Sequence, residues 1–413
     1  MPVISARFIR VVPSSDSIGT TDGADRKILS VPYGMILHLI ENLFPESGGP
    51  PTVVIEFARH QALSGRKVAV VCNRGPSRPE QHDALMQTWR GAPIHYVDIS
   101  RLPLDQRRGA LERSIDEIDP KVMHIHCMWE GFVRHASASA RRRGTPYVLS
   151  THGMLHPFVL AQKRLKKWAY LTLFPQIIGG AAEVFALNGQ EADHISSRFH
   201  VKSSVLPNGI DSSEYAGATP DLFLEKQPQL KGRSFILFVG RIHPIKGIDQ
   251  LVRSFAIARS RGIDFDLVVI GPENGGGAQV RAAIEQCGVQ SHVHLLGGKF
   301  GAEKLSAFAA ASIVAHRPRF EGFGIAVVEG LATGRPVVTT AECRLDGAEE
   351  AGALVIAPDT DEGFAAALMQ VASHRELARH LGDTGQRWAR EFLNWERLAR
   401  RADEAYGAAM ARS

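Results

Sequence analysis

From Met35 onward the chain repeats one pattern. A short apolar run rich in Val, Ile and Leu gives way to a turn, and then to a longer stretch whose apolar positions recur three and four apart. The first kind of run reads as a buried strand, the second as an amphipathic helix. Strand-like runs fall at residues 35–40, 67–72, 94–97, 122–126, 147–150, 183–187 and 204–206, with helical stretches such as 52–63 and 104–118 between them. Strands apolar on both faces and separated by helices predict a parallel sheet covered on both sides. The pattern pauses over residues 211–232, which carry Pro220 and Pro228 and little periodicity. It resumes with runs at 235–239, 265–270, 292–295, 313–315, 337–340 and 354–356, and from about Glu376 the chain reads as helix. No short-period repeat is visible, which argues against a solenoid.

The expected fold is α/β: two Rossmann-like, doubly wound domains facing a cleft, with ligands beyond the carboxyl ends of the strands. The expected divisions are a flexible extension over residues 1–33, a first domain over 34–215, a second over 216–385, and a terminal helix over 386–413 packing back on the first. Met35, at the head of the first strong strand, is a candidate start residue. Residues 170–187 are the best candidate for a membrane span, but Pro175, Gly179, Gly180 and Glu183 interrupt them. They read instead as a buried helix followed by a buried strand. No apolar leader precedes Ser14, so the expected location is the cytoplasm.

Composition narrows the function classes. With 413 residues, 44% of them hydrophobic and 22% charged, the chain is neither disordered nor collagen-like. A net charge of +5 is mild, and without clustered basic motifs along the chain no nucleic-acid partner is expected. Cys72, Cys127, Cys287 and Cys343 lie far apart, which speaks against a disulfide framework or a zinc site; no metal and no cofactor are expected.

Three turns carry candidate chemistry. Ser47-Gly48-Gly49-Pro50-Pro51 joins the first strand to its helix, where glycine permits close backbone approach and free amides can hold an anion. A merely geometric role fits Gly48 and Gly49 equally well. In residues 238–247, Arg241 and Lys246 enter a loop at the end of a strand; guanidinium and ammonium together suit a diphosphate, although solvated turns also hold such pairs. The most specific stretch is residues 319–330. There Glu321, Gly322, Phe323 and Gly324 form a loop before a helix that carries Glu329, and carboxylates in such a place suit sugar hydroxyls.

Taken jointly, Ser47-Gly48-Gly49-Pro50, Pro207-Asn208-Gly209-Ile210-Asp211, the loop from Gly240 to Gly247 and the Glu321-x7-Glu329 spacing resemble a GT-B glycosyltransferase of the retaining family-4 type, the glycosyl transferases group 1. The resemblance runs from about Met35 to the terminal helix. It implies a nucleotide-sugar donor, a UDP- or GDP-sugar by the family's habit. It places Arg241 and Lys246 on the diphosphate, Glu321 on the transferred sugar and Glu329 on the ribose, and the amides of Gly322, Phe323 and Gly324 on sugar and phosphate. Gly48 and Gly49 would approach from the opposite wall. Thr151-His152-Gly153-Met154-Leu155 is similar to a variant found among transferases building bacterial surface polysaccharides, with His152 near the sugar in transit. His156 stands where relatives often carry an acidic residue. The implied reaction retains anomeric configuration without an obvious protein nucleophile, the leaving phosphate taking the acceptor proton, unlike the paired-carboxylate scheme of retaining glycosidases.

The implied acceptor is a saccharide or a lipid-linked saccharide. Residues 132–181 contain no Asp or Glu, while Lys163, Arg164, Lys166 and Lys167 cluster beside Trp168 and Tyr170. Residues 158–174 therefore read as one interfacial helix in peripheral contact with an anionic membrane at its inner face. A GT-B epimerase, a phosphorylase and a non-catalytic nucleotide-sugar-binding protein are the alternatives, each disfavoured by the intact donor motifs.

Overall fold

The computed structural model describes residues 9–10, 34–44, 49–76, 78–100 and 102–412. They form two compact units, one from the residues up to Pro207 together with the helix Trp395–Ala411, the other from Asn208–Asn394.

The first unit is built on eight strands: β1 (Ile9–Arg10), β2 (Ile36–Asn42), β3 (Val68–Arg74), β4 (Ile94–Asp98), β5 (Val122–His126), β6 (Tyr147–Ser150), β7 (Glu183–Ala186) and β8 (Ser203–Val205). Their order is β1-β4-β3-β2-β5-β6-β7-β8. Every pairing from β2 to β8 is parallel, and β1 adds an antiparallel edge with Ile9 opposite Tyr96. Side chains alternate across a strand, so each strand feeds two layers. Leu37, Leu39, Met123 and Ile125 enter one buried layer. Ile36, Val122 and Val148 enter the other, packed with Phe57 of the helix Gly49–Leu63 and with Trp395, Leu398 and Tyr406 of the helix Trp395–Ala411. The terminal helix is thus part of the first unit's core.

The second unit has six parallel strands: β9 (Phe235–Val239), β10 (Asp266–Ile270), β11 (Val293–Leu295), β12 (Ile313–His316), β13 (Val337–Thr339) and β14 (Val355–Ile356). The order β11-β10-β9-β12-β13-β14 means that the chain winds outward from β9, then returns to lay β12 on the other side of it. Between β9 and β12 the winding reverses, and in open parallel sheets ligands bind beyond the carboxyl ends of the strands at such a switch point.

Several boundaries differ from expectation. The units part after Pro207 rather than at residue 215. Ile210 donates its backbone N–H to Leu393 O, and the Tyr215 hydroxyl bonds Glu329, so this segment is tied to the second unit. The helix Arg375–Phe392 lies wholly in the second unit instead of straddling residue 385, because its Leu381 is buried in that unit's core. Residues 158–174 are not one helix. Lys163 adopts a left-handed conformation (φ 51°) and separates Pro157–Ala161 from Arg164–Leu173. The helical part of residues 170–187 is divided: Arg164–Leu173 holds no buried residue, with Leu173 67% exposed, while the short helix Gln176–Gly179 ahead of β7 buries Ile177 and Ile178 in the core. The strand that follows is buried throughout. Apart from Ile9 and Arg10, the expected extension over residues 1–33 lies outside the described residues.

Candidate active site

In the second unit, the loop after β9 brings in Arg241 and Lys246, and the loop after β12 brings in Glu321. Gly247 shapes the first loop. Its φ of 62° is left-handed, and a Cβ there would collide with Arg317 O. Gly324 shapes the second. It caps the helix Ile325–Ala332 at φ 75°, and a Cβ would strike Cys343 Sγ. The backbone of Glu321 bridges that of Cys343, which fixes the loop before the cap.

Lys246 Nζ and Glu321 Oε2 form an ion pair between the two loops. His316, the last residue of β12, places its Nε2 3.1 Å from the same carboxylate oxygen. The imidazole is buried and stacks on Phe238 of β9 with ring centroids 5.1 Å apart. Burial alone would raise the Glu321 carboxyl, but the His316 hydrogen bond and the Lys246 ammonium outweigh it and hold the group well below the usual carboxylate range. Arg241 stands exposed, and its side chain has no hydrogen-bond or ion-pair partner among the described residues.

Glu329, in the fifth position of the helix Ile325–Ala332, is buried at 4% exposure rather than facing solvent. Its Oε1 accepts from Lys304 Nζ at 2.6 Å and from the Tyr215 hydroxyl at 2.8 Å. Burial, then the neighbouring Glu329, push the Tyr215 phenol above its ordinary range, so it remains a donor. Phe323 is buried beneath this loop and Gly322 lies between Glu321 and Phe323 on it. Neither Lys304, Tyr215 nor His316 stood out in the sequence. His316 carried the one usable signal, a histidine closing an apolar strand just ahead of the Glu321 loop.

In the first unit Gly49 begins the helix Gly49–Leu63, followed by Pro50 and Pro51, while Gly48 lies outside the described residues. His152 follows β6 in a left-handed conformation (φ 50°) and is half-buried. Its Nε2 lies 3.1 Å from His126 Nδ1. His156 caps the helix Pro157–Ala161, Nδ1 accepting from Phe158 N. Of the basic cluster, Lys163, Arg164 and Lys166 are exposed, whereas Lys167 turns inward to the Val159 carbonyl and lies 5.3 Å from the centre of the Trp129 ring.

Behind His152 lies a set of histidines that spacing alone did not suggest. His38, His124 and His126 are buried on one face of β2 and β5, with ligand nitrogens within 4.8 Å of one another, close enough to share a metal ion. Both nitrogens of each ring already sit at hydrogen-bonding distance from a side chain: His38 with Gln61 and His126, His124 with Tyr406 and Ser150, and His126 with His38 and His152.

Two family models match the chain: Glycosyltransferase Family 4 over residues 47–214 and Glycosyl transferases group 1 over residues 221–388. The chain is a GT-B glycosyltransferase of the family-4 type. Among curated proteins this transferase is 27% identical to the GDP-mannose:cellobiosyl-diphosphopolyprenol alpha-mannosyltransferase of Xanthomonas oryzae, across 83% of this chain and 88% of that one. Among solved structures it matches HepE from Anabaena in complex with UDP and glucose, with TM-score 0.70 and 18% identity over 91% of this chain and all of that one. It also matches sucrose-phosphate synthase from Thermosynechococcus elongatus, with TM-score 0.71 and 16% identity over 92% of this chain and all of that one. The GT-B fold and transferase activity expected from the sequence are thereby established.

Proposed function

We propose that this glycosyltransferase moves a sugar, with retention, from a UDP- or GDP-sugar to a saccharide or lipid-linked acceptor in cell-surface polysaccharide biosynthesis. The observation that carries the reading is the Arg241–Lys246–Glu321–His316 arrangement at the β9/β12 switch point. Arg241, exposed and unpaired among the described residues, supplies a fork of donors for phosphate oxygens. An ammonium has three donors; Glu321 takes one from Lys246, which leaves others for the diphosphate. Charge builds on that diphosphate as the glycosidic bond breaks, and fixed cations placed beforehand stabilise it. Glu321, kept ionised by its two neighbours, accepts from a hydroxyl of the transferred sugar, and the backbone around Gly322, Phe323 and Gly324 borders sugar and phosphate. Glu329 has one oxygen held by Lys304 and Tyr215, and its other oxygen is assigned to the ribose. Gly48 and Gly49 contribute from the first unit, as does His152.

The GDP-mannose and diphosphopolyprenol in the name of the Xanthomonas relative, and the UDP bound to HepE, support a nucleotide-sugar donor and a lipid-linked acceptor. No helix among the described residues is long and apolar enough to cross a membrane. The segment 157–173 supports peripheral contact instead: Leu165 is 81% and Trp168 60% exposed, beside Lys163, Arg164 and Lys166. Apolar and cationic side chains standing out together suit the boundary of an anionic bilayer.

Thermal melts against UDP-, GDP- and ADP-sugars, followed by assays of nucleotide release, test the reading. A bound donor raises the melting temperature by mass action. If no nucleotide sugar shifts the melt and none is turned over, the donor assignment falls.

A further inference from the structure

A continuous line of side chains runs through the first unit from the helix Trp395–Ala411 to His152. Asp403 Oδ2 accepts from Arg66 Nε at 2.7 Å, and its Oδ1 accepts from Gln61 Nε2 at 2.9 Å. Gln61 Oε1 lies 2.7 Å from His38 Nε2, His38 Nδ1 lies 3.1 Å from His126 Nε2, and His126 Nδ1 lies 3.1 Å from His152 Nε2. Gln61, His38 and His126 are wholly buried, so no solvent competes for these bonds.

The line has a direction. Burial raises the Asp403 carboxyl above its ordinary value and Arg66 offsets part of the rise; ion-paired with that guanidinium at 2.7 Å, Asp403 is the anion at neutral pH, which can only accept. Gln61 must then turn its NH2 to Asp403 and its oxygen to His38. An amide oxygen only accepts, so His38 carries its proton on Nε2. Burial holds His38 and His152 down at about 4 and His126 well below its ordinary value, so at neutral pH each ring has a single N–H. His38 Nδ1 is therefore a lone pair, and His126 must donate to it from Nε2. His126 Nδ1 is a lone pair in turn, and His152 must donate to it from Nε2.

We propose that Asp403, Gln61, His38 and His126 are positioning residues that set the tautomer of His152, leaving a lone pair on its Nδ1. That nitrogen has no hydrogen-bond partner among the described residues. It has the polarity that receives a hydroxyl and repels an unprotonated phosphate oxygen. His152 is thereby fitted to hold a sugar hydroxyl and not to act as a proton donor toward the diphosphate. The proposal rests on the reading of His152 as a site residue only for this last consequence; the tautomer itself follows from the line of bonds.

Long-range proton–nitrogen correlation spectra of the full chain, labelled with nitrogen-15 histidine at neutral pH, read the tautomer directly. The His152 signals are identified by their loss in His152→Asn. Wild type is expected to show one His152 species, protonated at Nε2. In Gln61→Met the acceptor that sets the direction is gone, the line is free to reverse, and His152 is expected to lose the single-species pattern. Gln61→Glu combined with Asp403→Asn restores an acceptor facing His38 and is expected to restore it. A wild-type His152 protonated on Nδ1 overturns the proposal without any variant. So does a folded Gln61→Met protein whose His152 spectrum matches wild type. Full transfer activity in His152→Asn would remove His152 from the site while leaving the tautomer result standing.

Discussion

Lys304 and Tyr215 converge on a single oxygen of Glu329, at 2.6 and 2.8 Å, although they come from separate parts of the second unit. This fixes the carboxylate's orientation before any ligand meets it. Tyr215→Phe removes one hydrogen bond to a charged, buried group, a loss of about 1.5–3 kcal/mol. Denaturant melts should show that loss, and the KM for donor should rise with kcat little changed. Glu329→Ala should raise the donor KM further. A donor KM unchanged in both variants separates Glu329 from the ribose.

The two cations of the β9 loop should separate by stability. Arg241 is exposed and unpaired among the described residues, so Arg241→Ala should stay within about 0.5 kcal/mol of wild type in stability. Lys246→Ala strips a buried-side partner from Glu321 and should lower the melting temperature as well. Both should weaken donor binding by about 2–5 kcal/mol. Normal turnover in both folded variants removes the diphosphate assignment. If Glu321 holds the sugar that reacts, as proposed, Glu321→Ala should act chiefly on kcat.

Acid should destabilise the first unit in a defined window. His38 is buried with its pKa lowered to about 4 from an ordinary 6.5. Between those values the unfolded chain binds more protons than the folded one, so stability rises with pH there and is lost as pH falls from 6.5 toward 4. The slope for this one group is about 1.4 kcal/mol per pH unit. His124 and His126, lowered by burial and by their neighbours, add to it in the same sense. Melts of wild type and His38→Gln across this range should show the shallower slope in the variant; equal slopes would contradict a neutral buried His38.

Membrane contact is testable by co-sedimentation with anionic vesicles. Wild type should pellet at low salt and be released at high salt, since each basic residue near such a surface contributes about 1 kcal/mol. Replacing Lys163, Arg164, Lys166 and Lys167 together with Gln should abolish pelleting. With Lys167 turned toward Val159 and Trp129, the triple variant that spares it should do nearly as much. Wild type remaining in the supernatant at low salt would point to a soluble acceptor.

Much of the fold was legible because buried parallel strands announce themselves as apolar runs, and both sheets follow those runs closely. The loop carrying Arg241 and Lys246 and the one carrying Glu321 were legible for a related reason: glycine and charge at a strand's end are local signals. What escaped depends on register. His38 and His124 look like unrelated histidines until β2 and β5 are paired with the two opposite each other. Lys304 and Tyr215 have no local mark, since only the tertiary fold brings them to Glu329. The break at Lys163 escaped because a left-handed lysine leaves no trace in hydrophobic spacing.

The helix Trp395–Ala411 completes the first unit's apolar core and supplies Asp403 and Tyr406 to its histidines. A ribosome makes it only after the whole of Asn208–Asn394 has been synthesised. The second unit is continuous in sequence, so all of its residues are made before the first unit has its last helix. The first must wait, its histidines and Phe57 uncovered, through the synthesis of an entire neighbour. The birth order of the two units and their order of completion are therefore reversed, and translation halted near Asn394 would release a chain whose earlier-made half is the unfinished one.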